Sequence, residues 1–299
     1  SQCVDHFLEG EPILTPAYNL QLVKQFDGEV TLAEVNQSVG NIITDKNQVF
    51  VMYGPDKEGF VIPSESEIEA TVLAAQKKQY EPYQEEKIPS TLMSTLPKPG
   101  KIVSEKPYGK FGMTEITLSN GMKVYVKPTD YQADQVMMSM RAEGGTSLYG
   151  NEDIPNFSLL TSAITEAGVG DFSATALRKA LAGKSIRLTP SISSEGQRIA
   201  GSSSVKDMET MLQLAHLYFM APRKDSVAFE GLKNRTLSFL KNRNASSKVV
   251  YNDSLSAVLY DHNLRMAPVT GEVLAKADYG RIMEIYRERF SDASNFKTV

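Results

Sequence analysis

Two alternating stretches, Thr114-Glu115-Ile116-Thr117-Leu118 and Met122-Lys123-Val124-Tyr125-Val126, flank Ser119-Asn120-Gly121. Asn and Gly both tolerate positive φ. A tight hairpin turn needs that freedom so that its twist matches the flanking strands. An antiparallel sheet therefore starts here, and 136–140 supplies a third strand. Downstream, 155–167 predicts a helix closed by Gly168, and Ser173 caps a helix ending at Gly183. Residues 187–193 and 198–204 pair around Glu195-Gly196. Met208, Met211, Leu212, Ala215 and Phe219 recur at helical spacing before Pro222, and 226–243 and 247–261 give two more helices. This order predicts an α+β domain, a sheet with helices packed on one face.

The upstream part reads differently. Residues 1–26 are helical with breaks at Pro12 and Pro16, and 31–43 is a helix. Val49-Phe50-Val51-Met52-Tyr53 reads as a buried strand ending at Gly54-Pro55. Ser64-Glu65-Ser66-Glu67 has the spacing of a capping box and opens a helix with Ile68, Val72 and Leu73 on one side. From 77 to 110 the composition turns to Gln, Glu, Lys and Tyr, with Pro82, Pro89, Pro97, Pro99 and Pro107. That predicts an extended surface linker. The expected organisation is a partial α/β unit over 1–76, a linker over 77–110 and the sheet domain over 111–299. A second helix–turn–strand unit opens at Asp278, runs through Ile282, Ile285, Tyr286 and Phe290, and stops at Phe296 without its strand. With Ser at position 1, the chain reads as a piece of a longer protein.

Composition narrows the function. The chain has 299 residues, 41% hydrophobic and 23% charged, which suits folded domains. A net charge of −4 argues against nucleic acid as the main partner. No run approaches the ~18 apolar residues of a membrane span. One cysteine, Cys3, excludes an intrachain disulfide and a cysteine zinc cage. The three histidines lie far apart. His6 sits in Asp5-His6-Phe7-Leu8-Glu9-Gly10, where Gly10 cannot ligate, and reads as an exposed helix-end residue. His216 lies on the 208–219 stripe and reads as a partly buried core residue, whereas His262 reads as a turn or helix-end contact. Glu152 and Asp153 read as complements to a helix dipole. Gly144-Gly145 and Gly168-Val169-Gly170 lack the phosphate-loop pattern and read as tight turns. Met137, Met138, Met140, Met208 and Met211 read as core, and 233–243 as a solvated helix face.

Three motifs carry a resemblance: Leu118-Ser119-Asn120-Gly121-Met122-Lys123-Val124, then Arg141-Ala142-Glu143-Gly144-Gly145-Thr146-Ser147, then 154–168. Phe219-Met220-Ala221-Pro222-Arg223 with Phe229, and 31–53 with Gly54-Pro55-Asp56-Lys57, extend it. In this order they resemble the M16 zinc metallopeptidases, relatives of pitrilysin, insulin-degrading enzyme and mitochondrial processing peptidase. The resemblance implies an M16 metallopeptidase-like (LuxS/MPP-like) fold. It also implies two halves closing like a clamshell around unfolded or small peptides, and a zinc held in the first half by His-x-x-Glu-His on a helix. That spacing stacks both imidazoles on one helical side, beside the Glu that activates water.

The matching helix here holds Asn156 and Leu160 at the two histidine positions and Leu159 at the general-base position. The resemblance thus implies the catalytically inactive second half, preceded by the end of the first. Zinc belongs to the parent protein, with no metal, cofactor or catalytic residue in this fragment. The implied partners are peptides and the catalytic half of the same chain, in the periplasm or cell envelope. The alternatives are a non-enzymatic M16-like scaffold or assembly subunit, and two separate chains, one active and one silent. The 77–110 linker speaks against the last.

Overall fold

The computed structural model describes residues 2–42, 47–54, 59–79, 81, 88–89 and 91–299. The chain forms two compact units, Ser1–Tyr83 and Gln84–Val299. Pro55, Asp56, Lys57 and Pro82 lie outside the described residues.

The first unit contains helices α1 (Gln2–Glu9), α2 (Pro16–Phe26), α3 (Leu32–Ile42) and α4 (Glu65–Lys77). Pro16 does not merely break a helix. It begins α2, behind the Thr15 hydroxyl, which accepts from the Tyr18 N–H. The capping box of α4 forms as expected: Ser64 Oγ accepts from Glu67 N, and the Glu67 carboxylate accepts from Ser64 N. The expected strand at 49–53 does not form, and Val49 and Tyr53 are 83% and 88% exposed. A strand gains its stability from a neighbour, and no ladder reaches these residues among those described.

The second unit holds the sheet. In chain order its elements are β1 (Ile102–Tyr108), β2 (Met113–Leu118), β3 (Lys123–Val126), β4 (Val136–Glu143), α5 (Ile154–Phe157), α6 (Leu160–Ala167) and α7 (Ala174–Ala180). Then come β5 (Ile186–Ile192), β6 (Gly196–Ser203), α8 (Met208–Met220), α9 (Ser226–Lys241), α10 (Ser247–Leu259), α11 (Gly271–Ala275), α12 (Tyr279–Phe290) and β7 (Lys297–Thr298). The seven strands lie in the order β1-β2-β3-β7-β4-β6-β5. The hairpin at Asn120-Gly121 and the β5–β6 hairpin stand where the sequence puts them.

Several expectations about the sheet and its flanking segments are corrected. The sheet is mixed, because β7 runs parallel to β3 and antiparallel to β4. The terminal strand is present, and it lies in the middle of the sheet. Phe296, fully buried, anchors it edge-on to Phe219 at 5.0 Å between ring centroids. The expected linker is partly structural: Leu92 is buried in the core, and 102–108 is an edge strand paired with β2. An edge position tolerates Pro107, which cannot donate to a ladder. The helix expected over 155–167 is divided into α5 and α6 around Ser158-Leu159.

Along β4, Met138, Met140 and Ala142 point into the core, while Met137, Arg141 and Glu143 are exposed. Successive strand residues face opposite sides. Met137 is therefore not a core residue as expected, and Met208 is also largely exposed, whereas Met211 is buried. Helices α6 and α8 cover the core side, against β5 and β6. The 233–243 face is less solvated than expected: Lys233 donates to Ala277 O at 2.9 Å, and Arg243 pairs with Asp253.

Candidate functional site

The segment expected to correspond to the zinc-binding helix of the M16 resemblance sits where α5 meets α6. Asn156 is on α5, Leu159 lies in the break, and Leu160 is the first residue of α6. The three positions thus do not share one continuous helix. Leu159 and Leu160 are 2% and 1% exposed and belong to the hydrophobic core.

Asn156 is buried and engaged at both ends of its amide. Its Nδ2 donates to Asp153 Oδ1 at 3.3 Å, and its Oδ1 accepts from the backbone N–H of Asp278 at 2.8 Å. Asp153 in turn receives Arg281 Nε at 3.0 Å and Arg281 Nη2 at 2.8 Å, a two-pronged ion pair. Hydrogen bonding from Arg281 holds the Asp153 carboxyl below the usual carboxylate range, against the opposing effect of burial. The same contact raises the Arg281 pKa. The dipole role expected of Asp153 gives way to this pair. Its neighbour Glu152 is exposed.

Arg281 also lies 5.5 Å from the ring centroid of Tyr149, and Arg289 lies 5.6 Å from the same ring. The Tyr149 hydroxyl donates to Glu288 Oε2 at 2.7 Å. Burial, then that bond, pushes its pKa up to about 12. The cluster therefore has a satisfied carboxylate, a satisfied amide and a cation already in place.

The residues here do not fit a zinc ion. Both leucines lack donor atoms, the Asn156 amide is spent, and Asp153 faces a guanidinium that would repel a second cation. Among the described residues, no three His, Cys, Asp or Glu side chains come together in a metal-holding group. His6 is exposed, with Nδ1 2.6 Å from Glu11 O; His216 is partly buried on α8; His262 sits at positive φ just beyond α10. Cys3 is a free, exposed thiol.

The two glycine segments are turns. Gly145 has φ +57° and a Cβ there would meet Ser193 O at 2.3 Å. Gly168 has φ +85° and a Cβ would meet Phe172 O at 2.1 Å. Gly145 N–H donates to Gln197 Oε1 at 3.1 Å, which fixes the loop after β4 on the start of β6.

A zinc protease PQQL-like protein of Arabidopsis thaliana is 24% identical over 299 residues, which cover 99% of this chain and 29% of the relative. A probable zinc protease PqqL of Haemophilus influenzae is 25% identical over 225 residues, covering 74% and 24%. The periplasmic protease PqqL from Escherichia coli superposes with TM-score 0.62 at 18% identity, over 100% of this chain and 33% of that one. The chain is similar to M16-type zinc proteases in sequence and shares the fold of PqqL.

A second solved structure with the M16-like fold is a mutant of the ferredoxin protease FusC in complex with Arabidopsis ferredoxin. It has TM-score 0.58 and 13% identity, over 99% of this chain and 33% of that one. No family model matches the chain. The chain spans less than a third of the length of these M16-type relatives.

Sequence reasoning located Asn156, Leu159 and Leu160 but missed Arg281. Nothing local marks that arginine, because its partner Asp153 lies 128 residues earlier and meets it only in the folded unit.

Proposed function

We propose that this chain is a non-catalytic portion of an M16-type zinc metalloendopeptidase and forms part of the wall of its peptide chamber. The zinc and the hydrolytic residues lie in a catalytic half of the same protein, upstream of residue 1. On this reading 1–76 is the C-terminal part of the second domain of that half, and the sheet unit is the first domain of the inactive half. The piece between, 77–110, joins the halves and gives its 102–108 stretch to the sheet. The parent acts on unfolded or small peptides in the periplasm or cell envelope, the compartment of PqqL from Escherichia coli.

One observation carries this reading: the Asn156 amide, at the place of the first zinc histidine, is bonded to Asp153 and Asp278. A polar residue at this spot serves structure, not metal. The test compares the intact gene product with the 299-residue chain for bound zinc and for chelator-sensitive peptide cleavage. The intact protein should hold zinc and cleave, and the chain should do neither. Stoichiometric zinc or cleavage in the pure chain overturns the proposal. An intact protein that lacks both would mark a scaffold instead.

A further inference from the structure

The two faces of the sheet differ sharply. The core face is apolar and covered by helices. On the other, one row of residues runs across four adjacent strands in register: Lys123 opposite Lys297, Lys297 opposite Arg141, and Arg141 opposite Arg198. All four are exposed. Neighbouring strands lie about 4.8 Å apart, so four positive side chains stand side by side. Like charges directly opposite one another are unfavourable in a sheet.

Little inside the chain relieves this crowding. Lys123 Nζ donates to Glu115 Oε1 at 3.2 Å, and Arg198 Nε donates to the neutral Ser139 Oγ at 3.0 Å. Arg141 and Lys297, in the middle of the row, make no ion pair among the described residues. The nearby carboxylates are otherwise occupied or stand apart. Glu288 accepts from Tyr149, Asp292 accepts from Ser294 and Asn295, and Glu143 lies two residues along β4 from Arg141 without pairing to it. A groove of about 540 Å³ beside the row is lined by Ser139, Arg141, Ser191, Gln197 and Arg198, among others.

We infer that this open face is a docking surface for an acidic, extended polypeptide. Its side-chain carboxylates would bridge Lys297, Arg141 and Arg198, and the flanking serine hydroxyls would take backbone or side-chain contacts. Carboxylates match guanidinium and ammonium donors closely and would neutralise the row. Peptide is favoured over polyphosphate because Glu115 and Glu143 interrupt the positive face, which penalises the denser anion more, and because the Ser139 and Ser191 hydroxyls beside the row can bond a peptide backbone. The class of occupant rests on the chamber-wall reading above. The charge preference rests on the register of the row.

The experiment uses the whole 299-residue chain and three fluorescent probes: a short poly-glutamate peptide, a neutral Gly-Ser peptide of equal length and an oligothymidylate. Poly-glutamate should bind best, and its affinity should fall with added salt. Arg141→Glu with Lys297→Glu should weaken it by at least about tenfold, whereas Lys241→Glu on α9 should leave it unchanged. Arg141→Gln with Lys297→Gln repeats the test without new charge, should folding suffer. Equal binding of acidic and neutral peptides overturns the inference but leaves the chamber-wall reading standing. Binding of neither peptide overturns both. Tighter oligothymidylate binding, or poly-glutamate binding indifferent to both row variants, overturns the inference.

Discussion

Asn156 accepts the backbone N–H of Asp278 at 2.8 Å across 122 positions of sequence, tying the short turn of α5 to the residue that caps α12. The amide joins two parts of the fold. Replacing Asn156 with Ala removes one acceptor and one donor from a buried network and should cost about 1–3 kcal/mol. A urea titration should show a lower midpoint with an unchanged slope.

The Asp153–Arg281 pair gives a pH signature. Because Arg281 lowers the folded-state pKa of Asp153, the pair stabilises the fold at pH values above the ordinary carboxylate pKa of about 3.9. That stability is lost as pH falls from there through the lower folded-state value. Asp153→Asn should therefore be less stable than the native chain near neutral pH, and the gap should narrow in acid. Urea midpoints near about pH 7 and about pH 3 check this; a gap that widens in acid would contradict the pairing.

The row Lys297–Arg141–Arg198 predicts a stabilising substitution. Arg141→Gln removes the central like charge and should raise stability by about 0.2–1 kcal/mol. Added salt should stabilise the native chain more than the variant, because screening relieves the same repulsion. Thermal melts at low and high ionic strength give both readings.

Proteolysis probes the edge strand of the second unit. Glu105 is paired in β1 with Ile116 of β2, so a glutamate-specific protease should spare it while the sheet is intact. Mass mapping of early fragments decides this. Early cleavage after Glu105 would detach the edge strand from the fold.

The sequence was most readable where local chemistry decides the backbone. Asn120-Gly121 marked its hairpin, Ser64 with Glu67 its capping box, and Ser173 and Asp278 their helix starts. It was least readable where distant partners decide. The 49–53 run has strand composition, yet composition cannot supply a neighbouring strand. The 102–108 stretch looked like linker because Pro107 masks an edge strand. At the candidate site the residue types at Asn156, Leu159 and Leu160 could be read directly, but Arg281 and the in-register cations could not. Ion pairs between remote residues and register across four strands are properties of the folded unit.

The placement of β7 also bears on how this unit assembles. Thr298 Oγ1 reaches Met122 Sδ at 3.7 Å, a contact between residues 176 positions apart. Lys297 and Thr298 form the seam between the β1–β3 block and the β4–β6 block. Each block can close locally, soon after it leaves the ribosome, but the two cannot share one hydrogen-bonded surface until Phe296 and its followers arrive. Such late, long-range closure is slow and leaves unpaired strand edges waiting. Of the seven strands, the one made last is the one that turns two small sheets into a single surface.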